Sequence, residues 1–178
     1  MRRLPFLTWL LLALPINAGV YGDLQFGDSR ETITRKLSES PLVEQTIDNT
    51  YIARTGLNGI YKCKAKISGL VCQLYFNWDQ HDRLIEITLR SESLNADRYK
   101  TDLKQAWSDA GALFAKVYHK PKQEAPYPDP SSFGQHKMMI SHVWESDDGV
   151  TIYMGSGMDK NTCFLFVRFV PTKTDLKT

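Results

Sequence analysis

The feature that most constrains the fold is a series of three strand-like runs joined by short turns. The three runs are residues 57–66, 70–78 and 83–91. Ser68-Gly69 and the polar residues 79–82 separate them, and both sequences are typical of turns. Ile85, Ile87 and Leu89 alternate with polar residues in the third run, so we expect these three side chains to face a core. Turns this short join antiparallel strands, because a parallel pair needs a crossover of about a dozen residues.

Two helices and a second group of strands complete the predicted fold. The helices are expected over residues 28–39, with Asp28 as the capping residue, and over residues 96–118, where apolar residues recur at helical spacing. The later strands are expected at 138–145, 150–155 and 163–170, with Asp148-Gly149 as a tight hairpin turn. A helix plus three strands therefore occurs twice. This order predicts an α+β fold, an antiparallel sheet of about six strands with both helices packed on one face.

Residues 1–18 predict export. Arg2 and Arg3 precede a short apolar run at 4–14, and Pro15-Ile16-Asn17-Ala18 ends on a small residue. This is the layout of a secretory signal peptide cleaved after Ala18. The apolar run is too short to span a bilayer comfortably, and no second one follows, so no membrane span is expected after cleavage. We expect a periplasmic or secreted protein.

The same segment carries the formal net charge of +2, because its two arginines account for the excess of 22 Lys and Arg over 20 Asp and Glu. A neutral mature chain gives no electrostatic basis for binding nucleic acid. Of the 178 residues, removal of 18 leaves 160, which suits one domain over 19–178. Four prolines in residues 119–137 predict a long loop there, either a binding loop or a mobile insert.

Export also makes a disulfide chemically permissible. Cys63 and Cys72 flank the Ser68-Gly69 turn, and Cys163 is the third cysteine. A four-residue loop would place Cys63 directly opposite Cys72, and a two-residue loop at Ser68-Gly69 would leave them diagonal. Both arrangements keep the pair on one face, so a Cys63–Cys72 bridge is predicted. Cys163 opens an apolar strand and is expected to be a small buried hydrophobe.

Two motifs resemble exported proteins of the β-lactamase-inhibitor-protein type and the BamE-like (SmpA/OmlA) type. One is Phe26-Gly27-Asp28-Ser29 leading to Ile33, which is similar to their helix entry. The other is Leu74-Tyr75-Phe76-Asn77-Trp78 followed by a polar turn and a strand. The resemblance implies a fold and a habit of binding other proteins on the sheet. It implies no catalytic residues. The Cys63/Cys72 pair in the hairpin is also similar to a feature of the inhibitor-type proteins.

The sequence shows no catalytic motif, such as a nucleophile elbow, a zinc-protease helix or a phosphate-binding glycine loop. His81 lies between Asp79 and Asp82, where a polar turn is favoured over a metal site. We therefore expect a protein that is not an enzyme and needs no cofactor or metal. A hydrolase using His81 or His142 is the weakest alternative, and a carrier of a small ligand is the second.

The leading hypothesis is a noncatalytic protein that binds a partner protein or envelope component through the helix-free sheet face, together with loop 119–137. Aromatic residues and arginine are the types enriched where binding energy concentrates. Strand alternation and hairpin parity assign them to this face. The predicted aromatic anchors are Tyr75, Trp144, Tyr153 and Phe166. The predicted polar contacts are Lys64, Arg90 and Arg168.

Overall fold

The computed structural model describes residues 20–46, 56–133 and 137–172. The predicted signal peptide and its cleavage site lie outside these residues, as do residues 134–136 of the predicted loop. Within them, the chain combines helices with an antiparallel sheet, which confirms the predicted mixed α and β character.

The first helix, α1, spans Arg30–Glu39. Ser29 caps its start, because the Ser29 hydroxyl accepts a hydrogen bond of 3.2 Å from the Thr32 backbone N–H. Asp28, the predicted cap, instead pairs with Lys36 at 2.8 Å. Ile33 and Leu37 are the buried residues of the helix, as their four-residue spacing indicates.

The second helix, α2, spans Lys104–Tyr118. A 3₁₀ turn at Ala96–Arg98 and a π-helical turn at Tyr99–Leu103 lead directly into it. The predicted helix over 96–118 is therefore a continuous helical segment whose first two turns are not α-helical. Its buried face carries Ala106, Ala110 and Phe114.

The sheet has nine strands in the described part of the chain. They are β1 Val43–Gln45, β2 Tyr61–Cys63, β3 Cys72–Trp78, β4 Leu84–Ser91, β5 Leu94–Asn95, β6 Gln123–Glu124, β7 Met138–Glu145, β8 Val150–Asp159 and β9 Thr162–Pro171. Their order is β1-β2-β3-β4-β9-β8-β7-β6, with β5 also paired to β9, and every pairing is antiparallel. The predicted six strands and repeat of a helix plus three strands are therefore wrong. The additional strands β1, β5 and β6 have only two or three residues each, too few for a side-chain alternation to be recognised.

The core lies between the helices and one face of this sheet. The buried residues of α1 and α2 belong to the same hydrophobic cluster as those of the central strands β4 and β9. Ile87, Leu89, Val167 and Phe169 supply the centre of that cluster, and the register pairs Ile87 with Phe169 and Leu89 with Val167. Both helices consequently pack on one face, as predicted, and the other face carries no helix among the described residues.

A β-bulge corrects the predicted orientation of Ile85. Trp78 pairs with Leu84 while Asn77 pairs with Glu86, so Ile85 is an extra residue opposite the Asn77–Trp78 bond. Leu84 is fully buried in its place and Ile85 is 41 % exposed. A bulge shifts the alternation by one residue, and the sequence pattern does not reveal it.

The proline-rich segment is attached to the fold along its described part, residues 119–133. Strand β6 lies within it and pairs with β7, so it covers that edge of the sheet. The Tyr99 hydroxyl donates a 2.8 Å hydrogen bond to the Pro128 carbonyl, and the Tyr127 hydroxyl donates a 2.9 Å bond to the Tyr99 carbonyl. Phe133 is buried against Tyr99. These residues line one edge of the sheet and the start of the helical segment.

Candidate binding surface on the helix-free sheet face

A row of side chains crosses the middle of the helix-free face. The register pairs Tyr75 with Thr88, Thr88 with Arg168, and Arg168 with Tyr153, so one residue from each of β3, β4, β9 and β8 stands in line. All four are partly exposed. Adjacent strands are about 4.8 Å apart, so Tyr75 and Tyr153 are separated by roughly 14 Å of sheet. We call Tyr75, Thr88, Arg168 and Tyr153 the tyrosine–arginine row.

Glu86 lies beside this row and partly neutralises it. The Thr88 hydroxyl donates a 2.9 Å hydrogen bond to Glu86 Oε1, and Arg168 Nε lies 3.3 Å from the same oxygen. Arg168 Nε is buried and makes no hydrogen bond, so its attraction to Glu86 is electrostatic and not directional. The Arg168 side chain is nevertheless 34 % exposed, so the residue remains accessible to a partner.

The next two rows each place a phenylalanine on a glycine. The register pairs Phe166 with Gly155 and Phe164 with Gly157. The Phe166 ring lies so close to Gly155 that a Cβ there would be 2.8 Å from its Cζ, and the corresponding distance from Gly157 to Phe164 is 2.2 Å. The Arg90 guanidinium carbon lies 3.8 Å from the Phe164 ring centroid, a cation–π geometry. Aromatic rings therefore fill the space that the glycines leave.

This packing corrects the prediction for Phe166. Its side chain is on the predicted face but is only 1 % exposed, and Phe164 is 4 % exposed. A ring so completely covered has no surface to offer a partner. Phe166 is therefore a packing residue of the helix-free face, while Arg90, which is partly exposed, remains accessible.

Trp144 lies on the opposite side from the one predicted. It pairs with Ile152, its ring packs against Phe114 of α2, and it is 1 % exposed. The predicted grouping with Tyr153 assumed a two-residue turn at Asp148-Gly149. In the structure Glu145 pairs with Thr151 and Ser146 N–H donates to the Val150 carbonyl, which leaves a three-residue loop, 147–149. A shift of one residue in register moves every side chain of the strand to the other face.

Lys64 is exposed but does not belong to the tyrosine–arginine row. It follows the last residue of β2, in the irregular stretch before the Ser68-Gly69 turn, and its backbone N–H donates to the Leu42 carbonyl at 3.0 Å. Of the seven predicted contact residues, the structure therefore brings four onto one accessible area of the helix-free face. These four are Tyr75, Tyr153, Arg90 and Arg168.

The histidines named in the hydrolase alternative occupy two different environments. His81 is exposed in a turn whose backbone N–H groups, from His81 and Arg83, donate to Asp79 Oδ1. These bonds, that of Arg83 foremost, lower the pKa of the Asp79 carboxyl. In the described ranges, no group of three or more His, Cys, Asp or Glu residues is arranged to hold a metal ion.

His142 is part of a buried polar network that sequence reasoning did not find. At the bulge in β7, Ser141 and His142 are both buried, and Ser141 Oγ is 2.9 Å from His142 Nδ1. Trp107 Nε1 donates to the same Ser141 oxygen at 2.7 Å, and the His142 ring stacks on Trp144. Burial lowers the pKa of His142, with a smaller opposing effect from Glu124. Ser141 is 2 % exposed, so its hydroxyl is covered from any substrate and acts in packing α2 on the sheet.

A shallow cleft of about 230 Å³ lies away from the helix-free face. Val20, Phe26, Tyr118 and Val150 are among its lining residues. Its volume is below the ~300–1,000 Å³ that is usual for small-molecule sites, so it gives the carrier alternative no support.

The three cysteines carry free thiols, and all three are buried. The predicted bridge between Cys63 and Cys72 is therefore not formed in this structure and stays a prediction. No helix in the described part of the chain is long and apolar enough to cross a membrane.

Comparison with known proteins gives no matching family model, no matching curated protein and no matching solved structure. The resemblance to the inhibitor-type and BamE-like proteins thus rests on the sequence motifs alone.

Proposed function

We propose that this chain is an exported, noncatalytic protein that binds a partner protein or envelope component on its helix-free sheet face. The observation that carries the proposal is the tyrosine–arginine row, in which Tyr75, Arg168 and Tyr153 stand in line and partly exposed. Tyrosine and arginine combine large contact area with directed hydrogen bonding, and both are enriched in binding hot spots.

The surroundings of the row favour a rigid recognition surface. Phe166 and Phe164 are packed tightly on Gly155 and Gly157, and Arg90 lies over the Phe164 ring, so the two neighbouring rows are already ordered before a partner binds. Ordering side chains on binding costs roughly 0.5–1.5 kcal/mol for each flexible side chain, and a pre-ordered surface avoids part of that cost. Residues 1–18 support export, and the sequence resemblance supports protein binding on the sheet.

The decisive test is partner capture by a variant of the row. The mature chain, 19–178, is immobilised and exposed to the envelope fraction of its own source. The double variant Tyr75→Ala/Tyr153→Ala is expected to capture at least about tenfold less partner than the wild type. Each truncation of a hot-spot residue costs about 1 kcal/mol or more of binding free energy. Captured partner is quantified by mass spectrometry.

The matched control removes exposed side chains from the other side of the molecule. Lys104 and Lys116 are both exposed on the outer face of α2. The double variant Lys104→Ala/Lys116→Ala is expected to capture as much partner as the wild type. Both variants must first show cooperative unfolding by circular dichroism. Equal capture by the wild type and the tyrosine variant would refute the proposed surface.

Export is tested separately by the N-terminus of the protein recovered from its source. We expect the mature chain to begin at Gly19 and to be found outside the cytoplasm. A recovered chain that keeps Met1 and remains in the cytoplasm would contradict export without bearing on the binding surface.

A further inference from the structure

Cys63 and Cys72 face each other across two neighbouring strands. The register that pairs Lys62 with Gln73 places Cys63 directly opposite Cys72, and Val43 and Ser91 continue the same row on either side. Directly opposed residues of antiparallel strands have Cα atoms roughly 4.5–5.5 Å apart, within the ~4.4–6.8 Å that disulfides span. The backbone therefore presents two thiols at bridging distance on the helix-covered face.

The N-terminal segment covers this thiol pair. Val20 and Tyr21 pack against the hydrophobic cluster that contains Cys63 and Cys72. Burial raises the pKa of the Tyr21 hydroxyl, and the nearby Cys63 thiol adds to this effect. Cys63 is 7 % exposed and Cys72 is 2 % exposed. Burial raises the pKa of the Cys63 thiol, and raises that of Cys72 to about 12, with smaller contributions from Cys63 and Glu92. Since the thiolate is the reactive form, the pair is unreactive as long as the cover stays in place.

A small number of contacts attach this cover to the rest of the fold. Leu24 is buried, Gly27 N–H donates a 2.9 Å hydrogen bond to the Leu84 carbonyl, and Lys36 Nζ donates to both the Asp23 carbonyl and Asp28 Oδ2 at 2.8 Å. Segments held by few contacts open locally at much lower cost than the core unfolds. Lys36 therefore fastens the segment at a site that is distant in sequence from the cysteines.

We propose that Cys63 and Cys72 form an oxidation site gated by residues 20–28, with Tyr21 as the residue that shields it. The pair closes to a disulfide when the segment moves away, and is protected when the segment is docked. The inference is independent of the binding function proposed above, because it concerns the opposite face of the sheet.

The oxidant is a disulfide of a small thiol or of an exchange catalyst. The Cys63 thiolate, the more exposed of the two, attacks one sulfur of that disulfide and releases the other as a thiol, leaving a mixed disulfide on Cys63. The Cys72 thiolate then attacks Cys63 Sγ and releases the second small thiol. Two protein thiols lose two electrons and two protons in total, and the oxidant takes up both as two thiols.

The test measures the rate of thiol loss in the reduced, purified mature chain exposed to oxidised glutathione. Peptide mapping is expected to find one bridge, Cys63–Cys72, with Cys163 still reduced, because Cys163 is fully buried and its thiol contacts the Asn95 carbonyl at 3.5 Å. Tyr21→Ala and Lys36→Ala are each expected to accelerate bridge formation about tenfold, since either change raises the open population of the segment. Tyr21→Phe, which keeps the ring, is expected to accelerate it less than Tyr21→Ala.

The matched control is Trp107→Ala, which truncates a partly buried aromatic residue on α2 whose ring contacts Tyr127 and His142 and not residues 20–28. It is expected to leave the oxidation rate at the wild-type value, which separates gating from general loosening. If Tyr21→Ala does not fold, Lys36→Ala and Tyr21→Phe carry the test. A bridge that involves Cys163, an unoxidised pair, or a wild-type rate in both Lys36→Ala and Tyr21→Phe would overturn the proposal.

Discussion

Replacing Gly157 with alanine tests whether the phenylalanine–glycine packing determines the stability of the helix-free face. A Cβ at Gly157 would lie 2.2, 2.5 and 2.8 Å from three atoms of the Phe164 ring, whereas ordinary contacts are 3.4–4 Å. The ring must therefore move by about 1 Å, yet it is 4 % exposed and the Arg90 guanidinium already lies 3.8 Å from its centroid. Overpacking of this kind costs about 1–3 kcal/mol, and the φ of Gly157 adds no strain because it is not positive.

The assay is a double-mutant cycle of urea unfolding followed by circular dichroism. Phe164→Leu removes the ring atoms that collide, so the combined variant is expected to lose about 1–2 kcal/mol less than the sum of the two single variants. Gly155→Ala gives the contrasting result. Its Cβ would lie 2.0 Å from the Met139 carbonyl oxygen, so Phe166→Leu is not expected to rescue it.

Gly111→Ala is the matched control, because the same methyl group on α2 would meet nothing closer than 3.5 Å. It is expected to stabilise the protein by about 0.5–1 kcal/mol through helix propensity. The reasoning is refuted if the unfolding free energy of Gly157→Ala lies within about 0.5 kcal/mol of the wild-type value. It is also refuted if the loss in the combined Gly157→Ala/Phe164→Leu variant equals the sum of the two single losses.

Two further predictions concern single side chains of the sheet. Trp144→Ala is expected to lower the unfolding free energy by about 3–5 kcal/mol, whereas Tyr153→Ala is expected to lower it by less than ~1.5 kcal/mol. Thermal unfolding measures both, and similar losses of unfolding free energy would contradict the placement of the two residues on opposite faces. The pKa of His142 in the folded protein lies below its unfolded value of about 6.5. As the pH decreases, the unfolded state therefore binds a proton at this residue before the folded state does. The contribution of His142 to the unfolding free energy is fully present above pH ~6.5 and decreases below it. His142→Gln should therefore show a smaller decrease in melting temperature between about pH 7.5 and pH 5 than the wild type, and an equal decrease would be evidence against burial of a neutral histidine.

Long periodic elements could be predicted from the sequence because many residues repeat the same signal. The helical segment 96–118 and the strand-like runs around β3, β4 and β9 are in the structure for this reason. Strands β1, β5 and β6 could not be recognised, since two or three residues establish no period and their pairing depends on neighbours distant in sequence.

Candidate contact residues could be predicted only as far as the register was known. Tyr75, Arg90 and Arg168 are on the predicted face because β3, β4 and β9 keep their alternation around them. Trp144 is on the other face because a loop has three residues and not two. The sequence of Asp147-Asp148-Gly149 is compatible with either turn, so packing of Trp144 against α2 decides between them.

The hairpin between β2 and β3 shows a related limit. Two alternatives were left open there, and the structure combines them. Ile67 pairs with Leu70 across a two-residue turn, while Lys62 pairs with Gln73 as the four-residue loop requires. The two pairings differ in register by two residues, and the extra residues lie in the irregular stretch before Ile67. The cysteines are therefore directly opposed although the turn has only two residues.

The position of β9 has a consequence for how the chain folds. This strand follows all the other described strands in sequence, yet it lies between β4 and β8 near the middle of the sheet. Its partner β4 precedes it by about 80 residues, and contacts of such long sequence separation form slowly because a large loop must close first. Until β9 has been synthesised and inserted, β4 and β8 each expose an unpaired edge next to an apolar surface. Completion of this sheet therefore waits for the last strand, and a chain truncated before β9 would present two open edges that favour aggregation.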